Sequence, residues 1–217
     1  MASVLEMEGI GKRYEGRWIL RDLRLTVSRG ETVALFGGNG SGKTTLLKMI
    51  ALLLPPTTGQ FNVFGSEPAT NSREIRTKIR FLGHEKRLYE ALTVRENAQL
   101  VAVLRGLQDR RQVISVMERL GIEKFQNYRV SQLSEGMRKR LVLATLLLGS
   151  ADLILLDEPH PTLDQGGKKI LDDLIQQWKT EGKTLMIASH DHEQVLKHAD
   201  RLVVLKEGKI FEEGKGC

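Results

Sequence analysis

The sequence predicts an α/β fold built on a mostly parallel sheet, and three patterns support this prediction. Short apolar segments bounded by turn residues alternate with longer segments of helical periodicity, as in parallel strands joined by helices. A glycine-rich loop joins an apolar strand to a helix near residue 40. Another apolar segment ends in two adjacent carboxylates near residue 157, and a parallel strand would deliver them to the ligand-binding edge of the sheet.

The first 30 residues predict strands of a different kind. Apolar and polar residues alternate over Val4–Glu8 and again over Leu23–Val27, which is typical of strands with one solvated face. Gly16 and the Arg29-Gly30 pair are turn signals after these segments. We therefore expect an antiparallel β subdomain before the glycine-rich loop.

The glycine-rich loop has the context of a phosphate-binding P-loop. It follows the apolar strand Thr32–Phe36 and precedes the helical segment Leu46–Ile50. Glycines let the backbone wrap around a polyphosphate, and its amide groups with the helix N-terminus attract the anion. A lysine reaches the outer phosphates and a threonine hydroxyl can ligate Mg²⁺. The residues expected to bind nucleotide phosphates are Gly37, Gly38, Asn39, Gly40, Ser41, Gly42, Lys43, Thr44 and Thr45, with Thr44 also expected to bind the metal.

The remaining elements follow in alternation after a predicted break at Pro55–Gly59. We expect a hairpin at Glu207-Gly208. We also expect a single domain, in which residues 1–83 and 151–217 form a nucleotide-binding core and residues 84–150 form a helical insertion. The predicted strands are Phe61–Phe64, Ile79–Leu82, Leu153–Leu156, Thr184–Ala188 and Leu202–Leu205. The predicted helices are Arg95–Leu104, Val113–Leu120, Leu141–Leu148 and Lys168–Lys179.

Three further segments carry candidate chemistry. Asp157 ends a buried strand where it can hold Mg²⁺, directly or through water, and Glu158 follows where it can orient or deprotonate an attacking water. Ser134 is a favoured helix N-cap residue, and Gly136 permits close backbone approach. His190 follows the strand Leu185–Ser189 and is expected at the same sheet edge as Glu158.

Composition narrows the functional classes. No apolar run reaches the ~18 residues of a membrane span, and the N-terminus lacks the pattern of a signal peptide. The only cysteine is Cys217, so no internal disulfide can form, which fits a cytoplasmic protein. The net charge is +6, but aromatic residues make only 5%, which argues against a base-stacking nucleic-acid platform. No Cys/His cluster has the spacing of a zinc site.

Taken together and in this order, the motifs resemble those of the ATPase subunit of ATP-binding cassette (ABC) transporters. The likeness covers essentially the whole chain and includes Leu163-Asp164 as well as the segments above. It implies that Tyr14 stacks on adenine, that Asp157 serves Mg²⁺, and that Glu158 is the catalytic carboxylate. It also implies roles in ATP binding for Ser134, Gly136 and Asp164 across a dimer interface, and a γ-phosphate-sensing role for His190.

The chain departs from the pattern of this family in two places. The family usually has a glutamine beside Mg²⁺ after the strand Ile79–Leu82, whereas this sequence has Gly83-His84-Glu85. We expect Glu85, or His84 if the register shifts by one, to take that position, with Glu85 acting through water. In the family's signature motif, to which Ser134 and Gly136 correspond, Glu135 stands where glycine is common and Met137 where glutamine is common. The signature resembles that of subfamilies associated with export, and Gly83-His84 resembles the haem-exporter ATPase of cytochrome c maturation.

The resemblance implies partners as well as cofactors. It implies ATP and Mg²⁺, a dimer that closes on two ATP molecules, and a separate integral membrane permease that holds the cytoplasmic ATPase at the inner face of the cell membrane. A soluble ABC-type ATPase acting in cofactor assembly without a permease stays open as an alternative. An ATP-dependent nucleic-acid factor is a weaker one, because such members usually carry tandem cassettes or a long coiled-coil insertion. The sequence does not identify the transported substrate.

Overall fold

The computed structural model describes residues 2–83, 88–161 and 163–213, without the side chains of residues 194, 195, 212 and 213. Strands and helices alternate in this part of the chain. The strands are β1 (Ser3–Tyr14), β2 (Arg17–Ser28), β3 (Thr32–Phe36), β4 (Thr58–Val63), β5 (Ile79–Leu82), β6 (Leu153–Asp157), β7 (Thr184–Ser189), β8 (Arg201–Lys206) and β9 (Lys209–Glu213). The helices are α1 (Lys43–Ile50), α2 (Pro68–Thr77), α3 (Val94–Leu104), α4 (Arg110–Arg119), α5 (Glu135–Leu147), α6 (Gln165–Thr180) and α7 (His192–Leu196).

The larger sheet has the strand order β5-β6-β7-β3-β8-β9, in which the first five strands are parallel and β9 is antiparallel. The predicted mostly parallel sheet is therefore confirmed. Its register decides what lies at one edge: Phe36 of β3 is opposite Ser189 of β7, and Asp157 of β6 is opposite Ala188. The segments that follow these three strands therefore begin side by side.

The smaller sheet, β2-β1-β4, is antiparallel, as the alternation predicted. The predicted strand Phe61–Phe64 is wrong in its bounds, because β4 begins at Thr58, inside the expected turn. Pairing with β1 overrides the local turn signals there. Gly59 has a φ of 82°, and a Cβ at this position would lie 2.4 Å from the carbonyl carbon of Gly9, so only glycine fits.

Two helices gave no periodic signal in the sequence. In α2 only Ile75 is buried, so no apolar stripe marks it, and α7 has just five residues. Helix α5 begins at Glu135, earlier than its apolar segment suggested, because Ser134 caps it: the Ser134 side chain accepts a hydrogen bond from the Met137 amide. None of the helices in the described residues is both long and apolar enough to cross a lipid bilayer.

The chain packs as two compact units. The first comprises 1–83, 151–159 and 175–217, and its core joins both sheets with α1 through side chains such as Leu5, Leu35, Leu47 and Leu155. The second comprises 84–150 and 160–174, so it includes the segment after Glu158 and the first part of α6. Its buried side chains include Val94, Met117, Leu120, Leu141 and Ala144.

The start of α3 generates a stability prediction. Thr93 and Glu96 form a capping box, in which the Thr93 hydroxyl accepts from the Glu96 amide at 3.2 Å and Glu96 accepts from the Thr93 amide at 2.7 Å. Thr93→Ala should lower the free energy of unfolding by about 1 kcal/mol, while Thr93→Ser should stay near wild type. Urea denaturation measures both variants. Equal destabilisation by Ala and Ser would show that the cap contributes nothing.

Candidate active site

The loop before α1 is open to an anion. Gly42 is the N-cap residue of α1 with a φ of 106°, and neither a side-chain cap nor an acidic residue in the first turn neutralises the helix N-terminus. No heavy atom lies within 4 Å of the position that a Cβ would take at Gly38 or Gly40, so the loop surface there is free. Among the described residues the buried Ser41 Oγ has no hydrogen-bond partner. These features suit a bound polyphosphate, which accepts hydrogen bonds from amides and hydroxyls.

Lys43 places a buried cation beside this loop. Its side chain is 7% exposed, and Nζ donates hydrogen bonds to the carbonyl oxygens of Gly37, at 2.7 Å, and Gly38, at 3.2 Å. The same ammonium lies 3.6 Å from Oε1 of Glu158. Buried charges are stable only when they are paired and hydrogen-bonded. Lys43 thus links the loop after β3 to the carboxylate after β6.

Glu158 is held by side chains at the end of β7. Its Oε1 lies 3.0 Å from Nδ1 of His190, and its Oε2 accepts a hydrogen bond from Ser189 Oγ at 3.1 Å. Ser189 Oγ also accepts from the Asp191 amide, which fixes the turn after the strand. The carboxylate is 8% exposed, whereas the His190 side chain is 53% exposed. Ser189 thus donates a hydrogen bond to Oε2, whereas Lys43 and His190 lie at ion-pair distance from Oε1, and His190 also faces solvent.

The backbone at Glu158 is strained. Its φ is 47°, in the left-handed region that side-chain-bearing residues rarely adopt. The Glu158 amide donates to the carbonyl oxygen of Ala188 at 2.9 Å, so the neighbouring strand holds this conformation. Such strain costs on the order of 1–3 kcal/mol and persists where the surroundings fix it, which often happens at functional sites.

The structure describes two of the residues that are expected to bind Mg²⁺, Asp157 and Thr44. Asp157 is 2% exposed and ends β6, and Thr44 is the second residue of α1. Oxygen ligands of this kind suit Mg²⁺, which keeps several waters and also binds substrate phosphates. No group of three His, Cys, Asp or Glu side chains is placed to hold a metal among the residues the structure describes. The residues His84 and Glu85 lie outside the described residues.

Tyr14 ends β1 and is 45% exposed, with Lys12 Nζ 5.3 Å from its ring centroid. A cavity of about 580 Å³ in the same unit reaches the P-loop at Gly40 and is lined by Trp18 and Phe211 among others. Sequence reasoning missed this cavity, because β2 and the β8–β9 hairpin belong to different sheets and meet only in the folded unit, where the Arg21 amide donates to the Gly208 carbonyl oxygen at 2.8 Å. Tyr14 is not among the residues that line it.

The second unit holds the other predicted residues. Ser134, Gly136 and Asp164 line one open cavity of about 630 Å³, together with Lys124 and Arg140. Asp164 Oδ1 and Oδ2 accept hydrogen bonds from Arg140 Nη2 at 3.0 and 2.8 Å. Neither basic residue was singled out from the sequence. No sequence signal joins Arg140 to Asp164, since the contact forms between α5 and the segment before α6.

The surroundings of Asp164 lower the pKa of its carboxyl below the ordinary value of 3.8. The hydrogen bond from the Gly167 amide is the larger cause, and the Arg140 guanidinium adds to it. Both interactions favour the charged form. The carboxylate is consequently ionised at neutral pH and links α5, through Arg140, to the start of α6.

The lowered pKa of Asp164 makes the free energy of unfolding depend on pH. Because the pKa is lower in the folded state, the stabilisation by Asp164 is present above the unfolded-state pKa and is lost as pH falls through the folded-state pKa. Asp164→Asn should therefore reduce the free energy of unfolding at about pH 7, and this difference should shrink towards about pH 3. Urea titrations at several pH values measure it, with exposed Asp173→Asn as the control. A deficit that is constant across pH would contradict the role of the charge.

Comparison with known proteins supports one family. The family model described as ABC transporter matches residues 20–161. The ABC transporter ATP-binding protein NatA of Bacillus subtilis is 36% identical over 199 residues, covering 90% of this chain and 81% of that protein. The Nod factor export ATP-binding protein I of Rhizobium johnstonii is 32% identical, covering 97% of this chain and 69% of that protein.

A solved structure agrees with the fold. The dimeric post-hydrolysis state of the ATP-binding cassette MJ0796, bound to ADP and Pi, has a TM-score of 0.87 and 28% identity, covering 97% of this chain and 98% of that one. The family model spans most of the chain, and these proteins align with nearly all of it. The chain therefore belongs to the ABC transporter family, as an ATP-binding protein with ATPase activity.

Proposed function

We propose that this ATPase energises a membrane exporter by hydrolysing ATP at Glu158. One observation carries the assignment: Lys43, Ser189 and His190 converge on the Glu158 carboxylate from two neighbouring strand ends. The site thereby combines a phosphate-binding cation with an oriented base at a sheet edge. Such an arrangement serves phosphoryl transfer, in which positioning and charge stabilisation supply most of the catalysis.

Binding begins at the P-loop. The amides from Gly37 to Thr45 and the open N-terminus of α1 receive the phosphates, and Lys43 neutralises charge on the outer ones. Tyr14 offers its exposed ring to adenine. Thr44 and Asp157 would hold Mg²⁺, which neutralises charge on the β- and γ-phosphates when bound. Glu85, or His84 in the shifted register, would stand beside the metal through water.

Hydrolysis then depends on Glu158. A water held by its carboxylate attacks the γ-phosphorus, the bond to the β,γ-bridging oxygen breaks, and ADP leaves. Glu158 accepts the proton that this water loses, which is the role of a general base. Ser189 and His190 keep the carboxylate in one orientation. The exposed side of His190 is free to contact the γ-phosphate.

Two copies would complete each site. Ser134, Gly136 and Asp164 lie in a different compact unit from the P-loop, and a second copy can present them to an ATP bound by the first. The dimeric state of the related cassette MJ0796 with ADP and Pi supports this arrangement. ATP then joins the two copies because both bind the same polyanion, and loss of the γ-phosphate loosens them.

Export through a separate permease is the direction that the relatives support. The similar protein of Rhizobium johnstonii is named for Nod factor export. The pair Gly83-His84 is the feature of this chain that favours haem as the cargo. Co-purification from detergent-solubilised membranes tests the permease: an integral membrane protein should accompany the wild type. Recovery of the chain only with water-soluble partners would favour the alternative in cofactor assembly.

The buried ammonium of Lys43 yields a binding prediction. Lys43→Ala should lower ATP affinity by at least about tenfold, since bonds between charged groups are among the strongest in a site. Fluorescent-nucleotide titration measures the affinity, and exposed Lys169→Ala is the matched control. Undiminished affinity of the Lys43 variant would show that nucleotide binds elsewhere.

The oriented carboxylate yields a catalytic prediction. Glu158→Gln keeps the shape of the side chain but cannot accept a proton, so the hydrolysis rate should fall by roughly 10²–10⁴ while ATP still binds. The variant should accumulate as an ATP-bound dimer in size-exclusion chromatography with ATP and Mg²⁺. Glu118→Gln, an exposed change on α4, should retain wild-type turnover. A Glu158 variant that hydrolyses ATP at the wild-type rate would remove this residue from the mechanism.

A further inference from the structure

The cavity beside Ser134 is larger than a terminal phosphate requires. Its volume is about 630 Å³, and it is open to solvent rather than enclosed. Apart from its chain neighbours and the backbone of its own helix, no described residue comes within 4 Å of the position that a Cβ would take at Gly136, so the cavity is open above the signature backbone. Lys124, Phe125 and Met137 also line it. The wall therefore offers a cation and apolar surface besides the signature.

Lys124 is the cation of this cavity that is available to a ligand. The other one, Arg140, donates to both oxygens of Asp164 and to the Leu120 carbonyl. Lys124 is exposed, and its Nζ lies 5.3 Å from the ring centroid of Phe125. Its ammonium forms no ion pair within the residues that the structure describes. Its ammonium can thus contact an incoming anion without breaking an existing ion pair.

Glu135 adds an electrostatic reason for such a cation. It follows Ser134 directly and places a negative charge in the first turn of α5, where a carboxylate opposes anion binding at the helix N-terminus. A nearby cation would offset this repulsion. Lys124 supplies a positive charge on the wall of the same cavity that Ser134 and Gly136 line.

We infer that Lys124 contacts the phosphates of the ATP that a second copy presents to this cavity, and so helps to position that ATP. This inference rests on the proposed composite site. Phe125 lies beside the Lys124 ammonium, whose Nζ is 5.3 Å from the ring centroid, and it adds apolar surface to the same cavity. Lys124 acts between copies, so it should affect ATP-dependent dimer formation and leave ATP binding by the single chain unchanged.

Dimerisation of a hydrolysis-deficient protein tests this inference. In the Glu158→Gln background, sedimentation velocity gives the monomer–dimer constant with ATP and Mg²⁺ at several salt concentrations. Lys124→Met keeps the stem and removes the charge, and Lys124→Arg keeps the charge. Lys169→Met is the control for loss of an exposed positive charge in the same unit. Ser134→Arg blocks the signature itself.

Lys124→Met should weaken dimerisation by about tenfold or more, because a symmetric dimer loses two charge-assisted contacts. Its dimerisation should also respond less to salt. Lys124→Arg should restore most of the loss, and Lys169→Met should behave as the parent. Fluorescent-nucleotide affinity of the monomers should stay the same in all variants except for experimental scatter.

The outcomes separate this inference from the proposed function. Unchanged dimerisation of Lys124→Met, with Ser134→Arg still blocking it, would overturn the role of Lys124 and leave the composite site intact. Equal losses in Lys124→Met and Lys169→Met would overturn it too, since they would show a general charge effect. A parent that forms no ATP-dependent dimer would overturn both. Weaker monomer binding of nucleotide by Lys124→Met would also contradict an action between copies.

Discussion

The register of three parallel strands is the constraint on which the site depends. Because β3, β6 and β7 run in the same direction and end side by side, the P-loop, Glu158 and His190 begin at the same sheet edge. Lys43, at the start of α1, lies 3.6 Å from Glu158, and Ser189 and His190 contact it from the end of β7. A shift of one residue in any strand would turn these side chains to the opposite face. The buried strands fix this register and thereby determine which side chains meet at the site.

The same constraint explains why strain is tolerated at Glu158. The left-handed backbone there is held by the amide hydrogen bond to Ala188, and the carboxylate is held by its three partners. If Glu158 is the base that we propose, these contacts hold it in position, which reduces the reorganisation that the reaction needs. The positions of the signature residues do not depend on this strand register, because Ser134 and Gly136 are placed by the capped start of α5 in the other compact unit.

Local patterns in the sequence predicted the strands and helices that carry the site, because glycine spacing, apolar segments and terminal carboxylates are short-range signals. Such signals do not predict contacts between segments that are far apart in the sequence. Arg140 and Asp164 are 24 residues apart, and their ion pair depends on how the folded unit places α5 against the segment before α6. The early start of β4 depends on pairing with β1, and α2 buries too little apolar surface to be periodic. The cavity that holds Lys124 likewise exists only in the folded unit.

The central claim is that one chain supplies the P-loop and another the signature for each ATP. Förster transfer between two differently labelled variants tests it, both in the Glu158→Gln background: one carries Lys43→Ala and the other Ser134→Arg. Each variant alone lacks every complete site, whereas a mixed pair retains one, formed by the P-loop of the second and the signature of the first. ATP with Mg²⁺ should therefore raise energy transfer only in the mixture. Transfer in the mixture no greater than in either variant alone would contradict the composite site.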